Sequence, residues 1–269
     1  MDEPITAPVE KSGSRSMGVL TRIVRIVGWT SIVVGLLILG FVVQQLFVTT
    51  WFSQQHQEAL SEEAEEHFAT AEVTEVEYIP PTSAGNPGEV TVNPDGTVTP
   101  GAGGSTTDDG APLVPEKRTL LVESTPENGT AFAVIRIPTI ERLEEGWTVV
   151  EGVELRNLKN GAGHMPHTPL PGMPGNSVIS GHRTTYGAPF HEVGDLVPGD
   201  VIEVDTAIGT HTYEVREVIV VQPTELWVTE PREGSWLTLT TCHPKFSARQ
   251  RLIVFAELVD GPNWEAIYA

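Results

Sequence analysis

The sequence predicts an all-β domain that is held outside a membrane by one N-terminal helix. Three observations predict this: an uncharged apolar run near the N-terminus, a segment rich in Pro, Gly and acidic residues, and a series of short strand-like segments after it. The chain has 269 residues and a net charge of −20. A nucleic-acid partner is therefore excluded, because phosphate binding needs clustered Lys and Arg.

The apolar run extends from Ile26 to Phe52 and contains no ionisable side chain. At about 1.5 Å rise per residue it is roughly 40 Å long, enough to cross a ~30 Å hydrocarbon layer with tilt. The competing interpretation is a cleaved signal peptide, which would have a shorter apolar region followed by a small-residue cleavage site. We predict an uncleaved transmembrane anchor over residues 23–52, after an N-terminal tail of residues 1–22.

Charged residues on the two sides of the run predict its orientation. Four Lys and Arg lie within residues 11–25, and a cluster of Glu lies within residues 58–66. An excess of Lys and Arg marks the cytoplasmic side of a membrane helix. We expect the tail in the cytoplasm, the anchor in the lipid bilayer and the rest of the chain outside the cell.

Residues 53–129 are predicted to separate the anchor from the folded domain. Gln54–Thr70 is either a solvated helix or a charged spacer, since it is rich in Glu, Gln and Ala. Pro80–Pro115 cannot bury enough apolar surface to offset its ordering entropy, so we predict a disordered linker. The sequence VTVNPDGTVT inside it is typical of a hairpin, which is marginal in isolation.

The folded domain is predicted over residues 130–269. Its segments rich in Val, Ile, Thr and aromatic residues are interrupted by Gly and Pro turns, which favours a sandwich or a closed barrel. One short helix is expected within residues 187–196. The predicted strands cover residues 131–140, 148–153, 176–181, 200–207, 212–223, 236–242 and 251–258.

Cys242 is the only cysteine, so neither an internal disulfide nor a multi-cysteine zinc site can form. It lies at the end of the alternating strand WLTLTTC, because Pro244 limits the strand to Cys242 or His243. The thiol could be a packed small hydrophobe, half of an intermolecular disulfide, a metal ligand or a nucleophile. Position alone leaves these alternatives open.

A cysteine nucleophile needs a nearby histidine or cation to gain thiolate character. His182 fits, because the apolar strand Val178–Ser180 ends at Gly181 and places His182 at its tip. The alternative is a surface histidine in a turn. A second pattern, H-x-x-H at His164 and His167, is disfavoured as a metal site because a proline interrupts it and the sequence shows no acidic ligand beside it.

Arg251 begins the strand that follows Cys242. If the two strands form a hairpin, its guanidinium lies near the thiol, where it could stabilise an oxyanion. The alternatives are a solvated strand-end arginine and the use of Arg249 in its place.

Two blocks of the sequence resemble the sortase family of cysteine transpeptidases. They are GHMPHTPLPGMPGNSVISGHRTTYGAPF (163–190) and LTLTTCHPKFSARQRLIV (237–254). The resemblance covers residues 131–260, keeps the family order of His, Cys and Arg, and is greatest to class E sortases. It implies a closed eight-stranded sortase-type β-barrel with short helices, and it makes His182, Cys242 and Arg251 the expected catalytic residues.

The resemblance also implies a reaction. A C-terminal sorting signal of the LAXTG or LPXTG type is cleaved between Thr and Gly, an acyl-thioester forms on Cys242, and an amine of the cell-wall peptide resolves it. Tyr186 falls where class E sortases carry a substrate-recognising tyrosine. Thr240 and Thr241 are expected to line the groove, although strand alternation allows only one of them to share the face of Cys242.

The expected partners are surface proteins that carry the signal, the cell-wall amine and the bilayer; no cofactor and no metal are expected. Two alternatives remain at this point. One is an extracellular cysteine peptidase or peptidoglycan hydrolase, which would release its product to water. The other is a non-catalytic surface scaffold in which Cys242 is only packed.

Overall fold

The structure is a computed structural model that describes residues 14–80, 91–92, 98–99 and 117–269. It divides into two compact units, Met1–Val48 and Thr49–Ala269. Helix α1 (Ser14–Thr70) begins in the first unit. Its stretch Thr21–Gln44 is long and apolar enough to cross a membrane, and its side chains are exposed. The predicted N-terminal apolar helix is therefore confirmed.

Twelve strands and three further helices follow α1 within the described residues. The strands are β1 (Val73–Tyr78), β2 (Thr91–Val92), β3 (Val98–Thr99), β4 (Arg118–Glu123), β5 (Ala131–Arg136), β6 (Trp147–Glu151), β7 (Ala162–His164), β8 (Gly175–Ser180), β9 (Val201–Thr206), β10 (Gly209–Val221), β11 (Ser235–His243) and β12 (Gln250–Asp260). The helices are α2 (Glu141–Glu144), α3 (Leu155–Leu158) and α4 (Trp264–Tyr268), and single 3-10 turns cover Val193–Asp195 and Leu226–Thr229.

Strands β5 to β12 form a closed barrel in the order β10-β12-β11-β8-β7-β6-β5-β9, with β9 paired to β10. The pairs β6–β7 and β8–β11 are parallel, and the others are antiparallel. Closure removes exposed strand edges, which otherwise invite aggregation. The predicted eight-stranded closed barrel is confirmed.

The barrel core follows from the alternation that predicts its strands. In β11, Leu237 and Leu239 point inward and pack with Val254 and Ala256 of β12, the strand beside it. Thr238 of β11 and Phe255 of β12 lie between these residues and point outward. Phe255 joins a second buried cluster under the turn Leu226–Thr229. Period-2 alternation thus gives one face of β11 to the core and leaves the other face available for a site.

The part of α1 that belongs to the second unit packs on the barrel through one helical face. Gln57 donates from Nε2 to the Asn160 carbonyl (2.8 Å) and accepts from the Thr148 amide (2.9 Å) at Oε1. Leu60, Ala64 and Phe68 contact a small apolar cluster on the barrel, formed by Ala131, Val134 and Val150. Spacings of three and four residues put these side chains on one stripe.

Strands β1 and β4 form a separate two-stranded antiparallel sheet. The buried Asn263 connects it to the barrel domain: its Oδ1 accepts from the Leu121 amide (2.9 Å), and its Nδ2 donates to the Leu121 carbonyl (2.9 Å). The Asn263 side chain therefore satisfies the backbone N–H and C=O of Leu121 in the way that a neighbouring strand would. The folded unit includes residues on the N-terminal side of the boundary predicted at residue 130.

Several expectations concern the segments between these elements. The possible hairpin in the predicted disordered linker is present as the antiparallel pair β2–β3, and the rest of residues 81–116 lies outside the described residues. The helix expected within residues 187–196 is only the turn Val193–Asp195. Tyr186 and Ala188 have positive φ values just before it, so the backbone there cannot start a regular helix.

Candidate active site

Strand β11 carries Cys242 next to last, and β12 supplies its cross-strand neighbour. The Cα partner of Cys242 is Arg251, and the preceding outward pair is Thr240 with Ile253. Directly opposed residues in an antiparallel pair project from the same face. Thr240, Cys242 and Arg251 therefore lie on one outer face, and Cys242 is a free, partly exposed cysteine.

Strand β8 brings His182 to the same strand end from the other side of β11. The pair is parallel with Thr240 opposite Ser180, and the Gly181 amide donates to the Thr240 carbonyl (3.1 Å). His182 follows the last paired residue of β8 by two positions, at the barrel end where β11 carries Cys242. The ends of β8, β11 and β12 that lead to or carry His182, Cys242 and Arg251 are therefore neighbours in the barrel, although His182 and Cys242 are 60 positions apart. That the three residues act together stays a prediction.

Two contacts fix the end of β8. Thr241 points to the opposite face from Cys242, is buried, and donates from Oγ1 to the Gly181 carbonyl (2.7 Å). A Cβ on Gly181 would lie 2.6 Å from the Phe190 ring, so only glycine fits this position. Thr240 shares the face of Cys242 and Thr241 does not; a role for either in substrate binding stays a prediction.

The His182 imidazole is half-buried, and its Nε2 has no hydrogen-bond partner among the described residues. Burial lowers its pKa below the ordinary 6.5, and the positive charge of Lys159 lowers it further. The ring of Tyr186 lies 5.0 Å from the imidazole, centroid to centroid. The result is a neutral imidazole with a nitrogen available for proton transfer at neutral pH.

The loop after His182 is held in an unusual conformation. Tyr186 adopts φ +51°, and Arg142 donates from Nη1 to the Gly187 carbonyl (2.7 Å). The Lys159 Nζ lies 5.6 Å from the Tyr186 ring centroid, a cation–π contact. Positive φ at a large residue is uncommon and tends to mark functional sites. The predicted substrate-recognising tyrosine thus lies against the predicted catalytic histidine.

The two arginines near Cys242 differ in their contacts. Arg251 is half-buried, and its Nη1 donates to the carbonyls of Ala248 (3.0 Å) and Gln250 (3.0 Å). Arg249 is exposed, and its side chain makes no hydrogen bond or ion pair with any described residue. The carbonyl contacts hold the Arg251 guanidinium near the strand end without neutralising its charge.

Arg183 is a residue that the sequence analysis did not select. It is 8% exposed, and its Nη1 donates to the Cys242 carbonyl (3.3 Å) and to His243 Nδ1 (2.8 Å). Its position directly after His182, inside the G-H-R-T-T-Y-G block, was the available signal. Its burial and its contacts depend on how β8 and β11 pack together, which the amino-acid sequence alone does not show.

The H-x-x-H pattern belongs to the barrel structure. His164 is buried, its Nδ1 lies 2.6 Å from Glu151 Oε2, and its Nε2 lies 3.0 Å from Thr168 Oγ1. His167 is exposed. Glu151 is an acidic neighbour that the sequence did not reveal. In the described part of the chain, no group of three or more His, Cys, Asp or Glu side chains is placed to hold a metal ion.

Comparison with known proteins places this site in a family. Residues 135–259 match the family model described as Sortase domain. Sortase D of Bacillus subtilis is 32% identical over 139 residues, which are 50% of this chain and 67% of sortase D. The chain belongs to the sortase family.

Other relatives relate this sortase to class E. Sortase SrtE1 of Streptomyces coelicolor is 31% identical over 150 residues, which are 50% of this chain and 42% of SrtE1. Sortase SrtE2 of the same organism is 30% identical over 138 residues, 45% of this chain and 54% of SrtE2. The match thus spans about half the length of these two relatives, and the sortase is class E-like.

A solved structure of sortase E from Streptomyces avermitilis also matches this sortase. It is 37% identical, with 52% of this chain and 95% of that chain covered and a TM-score of 0.46.

Proposed function

We propose that this sortase is a membrane-anchored cysteine transpeptidase. It cleaves an LAXTG- or LPXTG-type sorting signal between Thr and Gly and transfers the signal-bearing protein to an amine of the cell-wall peptide. The observation that supports the proposal is that β8, β11 and β12 are neighbours, so that Cys242 is paired with Arg251 and His182 follows the adjacent strand end. A merely packed cysteine would need neither an unpartnered imidazole nitrogen nor a guanidinium beside it.

The first half-reaction forms a thioester. The Cys242 thiol gives its proton to the neutral His182 imidazole, and the resulting thiolate attacks the carbonyl carbon of the signal threonine. The carbonyl oxygen becomes an oxyanion that the Arg251 guanidinium stabilises. The C–S bond remains and the Thr–Gly C–N bond breaks when His182 donates a proton to the leaving glycine amine. The signal up to Thr is then attached to Cys242.

The second half-reaction reverses these roles. The incoming amine attacks the thioester carbonyl, His182 accepts the proton that the amine loses, and the Cys242 thiolate leaves. A new amide bond replaces the thioester. The lowered pKa of His182 supports this role, because the ring must be neutral when it accepts the proton.

The apolar helix completes the proposal. The stretch Thr21–Gln44 anchors the sortase in the cell membrane in a single pass, with the basic N-terminal flank in the cytoplasm and the catalytic domain outside the cell. The linker between anchor and barrel lets the domain reach clients in the cell wall. Residues 1–22 are proposed as the tail, 23–52 as the anchor, 53–129 as the juxtamembrane segment and linker, and 130–269 as the catalytic domain.

The test is a partition assay, which measures how the cleaved peptide divides between transfer to an added amine and release to water. It uses the full chain in detergent, an LAXTG-containing peptide and hydroxylamine as the amine. We expect the peptide hydroxamate to form in proportion to the amine, and Cys242→Ala to abolish it. Product retained in Cys242→Ala would contradict the proposal. Release to water alone, insensitive to amine, would instead indicate a peptidase or peptidoglycan hydrolase.

A further inference from the structure

Arg183 carries a buried positive charge, which needs a physical reason. Arginine is almost never fully buried unless it is paired, because removing a charge from water is costly. Arg136 and Arg216, for example, lie in ion pairs with carboxylates. Arg183 has no carboxylate within salt-bridge distance among the described residues; a carbonyl and an imidazole accept its hydrogen bonds.

The two acceptors of Arg183 are consecutive residues at the end of β11. A single nitrogen, Nη1, donates to the Cys242 carbonyl and to His243 Nδ1. A guanidinium only donates, so His243 Nδ1 accepts this hydrogen bond. The guanidinium thus fixes the backbone of the residue that bears the thiol.

The charge of Arg183 is also coupled to the thiol. Burial lowers the Arg183 pKa, while the negative charges of Asp195 and of an ionised Cys242 raise it. Arginine stays protonated at working pH, so the buried guanidinium keeps a positive charge beside the end of β11.

We propose that Arg183 is a positioning residue for Cys242, which holds the thiol-bearing strand end by its carbonyl and favours the thiolate through a buried positive charge. The inference rests on the proposed function, in which Cys242 is the nucleophile. The two arginines then divide the work. Arg251 is the outward cross-strand neighbour and faces the substrate, whereas Arg183 acts from within the fold.

Gly194 supports this assignment from a second direction. A Cβ at Gly194 would lie 2.7 Å from Arg183 Nη2 and 3.1 Å from Leu252 Cδ2. Leu252 belongs to the barrel core, so the guanidinium occupies a closed space between β12 and the turn Val193–Asp195. A side chain at Gly194 would displace the guanidinium and weaken its hydrogen bond to Cys242.

The lone cysteine makes a direct test possible, since alkylation of the full chain can report only on Cys242. The thiolate is the species that iodoacetamide alkylates. We expect Arg183→Met to slow alkylation at pH 7 by about tenfold. At high pH the thiol ionises without help from a nearby cation, so the alkylation rate of the variant should approach that of the wild type. Arg183→Lys keeps the charge and should stay within about threefold of wild type.

Arg156→Met is the matched control, because Arg156 is exposed and contacts Asn128 instead of the site. Its alkylation rate should equal that of the wild type. An unchanged rate in Arg183→Met, with only a lower melting temperature, would overturn the proposal and leave Arg183 a packing residue.

Gly194→Ala keeps the test decisive if Arg183→Met does not fold. Like Arg183→Met, it should slow alkylation at pH 7, and an unchanged rate would overturn the proposal. The measurement needs neither peptide nor amine. A sortase that fails the partition assay can therefore still confirm or contradict the role of Arg183.

Discussion

At the scale of single residues, the site depends on one strand-end position shared by Cys242 and Arg251. Their cross-strand pairing supports the proposed role of the Arg251 guanidinium in stabilising the oxyanion that forms when the thiolate attacks. Arg249 is two positions away but has no such pairing. The two arginines therefore make a matched pair for mutation.

We expect Arg251→Ala to lower kcat/KM for peptide transfer by on the order of 10²-fold, as loss of an oxyanion donor does. Arg249→Ala should stay within about twofold of wild type, because its side chain is exposed and makes no contact with a described residue. Both are measured in the partition assay. The reverse pattern would transfer the role to Arg249.

Lys159 should affect the titration of His182. Burial is the larger cause of the lowered His182 pKa, and the charge of Lys159 is the smaller. Lys159→Met removes a positive charge that opposes protonation, so the His182 pKa should rise while remaining below 6.5. Titration of the imidazole resonances by NMR measures this. Lys245→Met is the control, and an equal rise in that variant would argue against a local effect.

The sequence predicted the residues whose chemistry is visible in their type and motif. Cys242 is unique, His182 ends an apolar strand, and Arg251 begins one. Arg183 and Lys159 escaped prediction, because their importance lies in burial and in neighbours supplied by other segments. The contact of Arg183 with a carbonyl and of Lys159 with an aromatic ring depends on the fold, so no spacing in the sequence predicts it.

At the scale of elements, seven of the eight barrel strands were predictable, because alternation and Gly/Pro turns mark them. β7 was missed, since Ala162–His164 is only three residues long and contains a glycine. β1 and β4 were missed because the predicted linker separates them, and nothing local indicates that they pair. The parallel pairing of β8 with β11, which makes the strand ends before His182 and at Cys242 neighbours, depends on long-range packing.

For Gln54–Thr70, now the last part of α1, the sequence did not decide between a solvated helix and a charged spacer; the structure shows a helix with one packed face. Ala64→Asp would place a charge at a fully buried position and should cost about 2–4 kcal/mol, or about 5–10 °C in melting temperature. Ala59→Asp makes the same change on the exposed side of the helix and should have little effect. Equal melting temperatures for the two variants would contradict the packing of this face.

At the scale of the whole molecule, two buried groups set opposite limits on stability with pH. Burial raises the Glu123 pKa to about 7, so its stabilising contribution is present below about pH 4.5 and is lost as the pH rises through 7. Burial lowers the His211 pKa to about 4, so its contribution is present above 6.5 and is lost as the pH falls through 4.

Glu123→Gln should therefore stabilise the protein selectively at high pH. The Ala207 amide can still donate to the new side chain, while the cost of an ionised buried carboxylate disappears. We expect a melting temperature about 5 °C above wild type at pH 8 and a smaller gain at pH 5. The exposed Glu127→Gln is the control. A gain that is equal at both pH values would show that ionisation is not its cause.

The central claim is that Cys242 becomes acylated during transfer, and the intact mass of the protein tests it most directly. The full chain is incubated with an LAXTG peptide without added amine, quenched in acid and weighed by mass spectrometry. We predict an added mass equal to the peptide up to its threonine, located on Cys242, absent in Cys242→Ala and removed by hydroxylamine. Cleaved peptide without this adduct, or the same adduct in Cys242→Ala, would contradict the account.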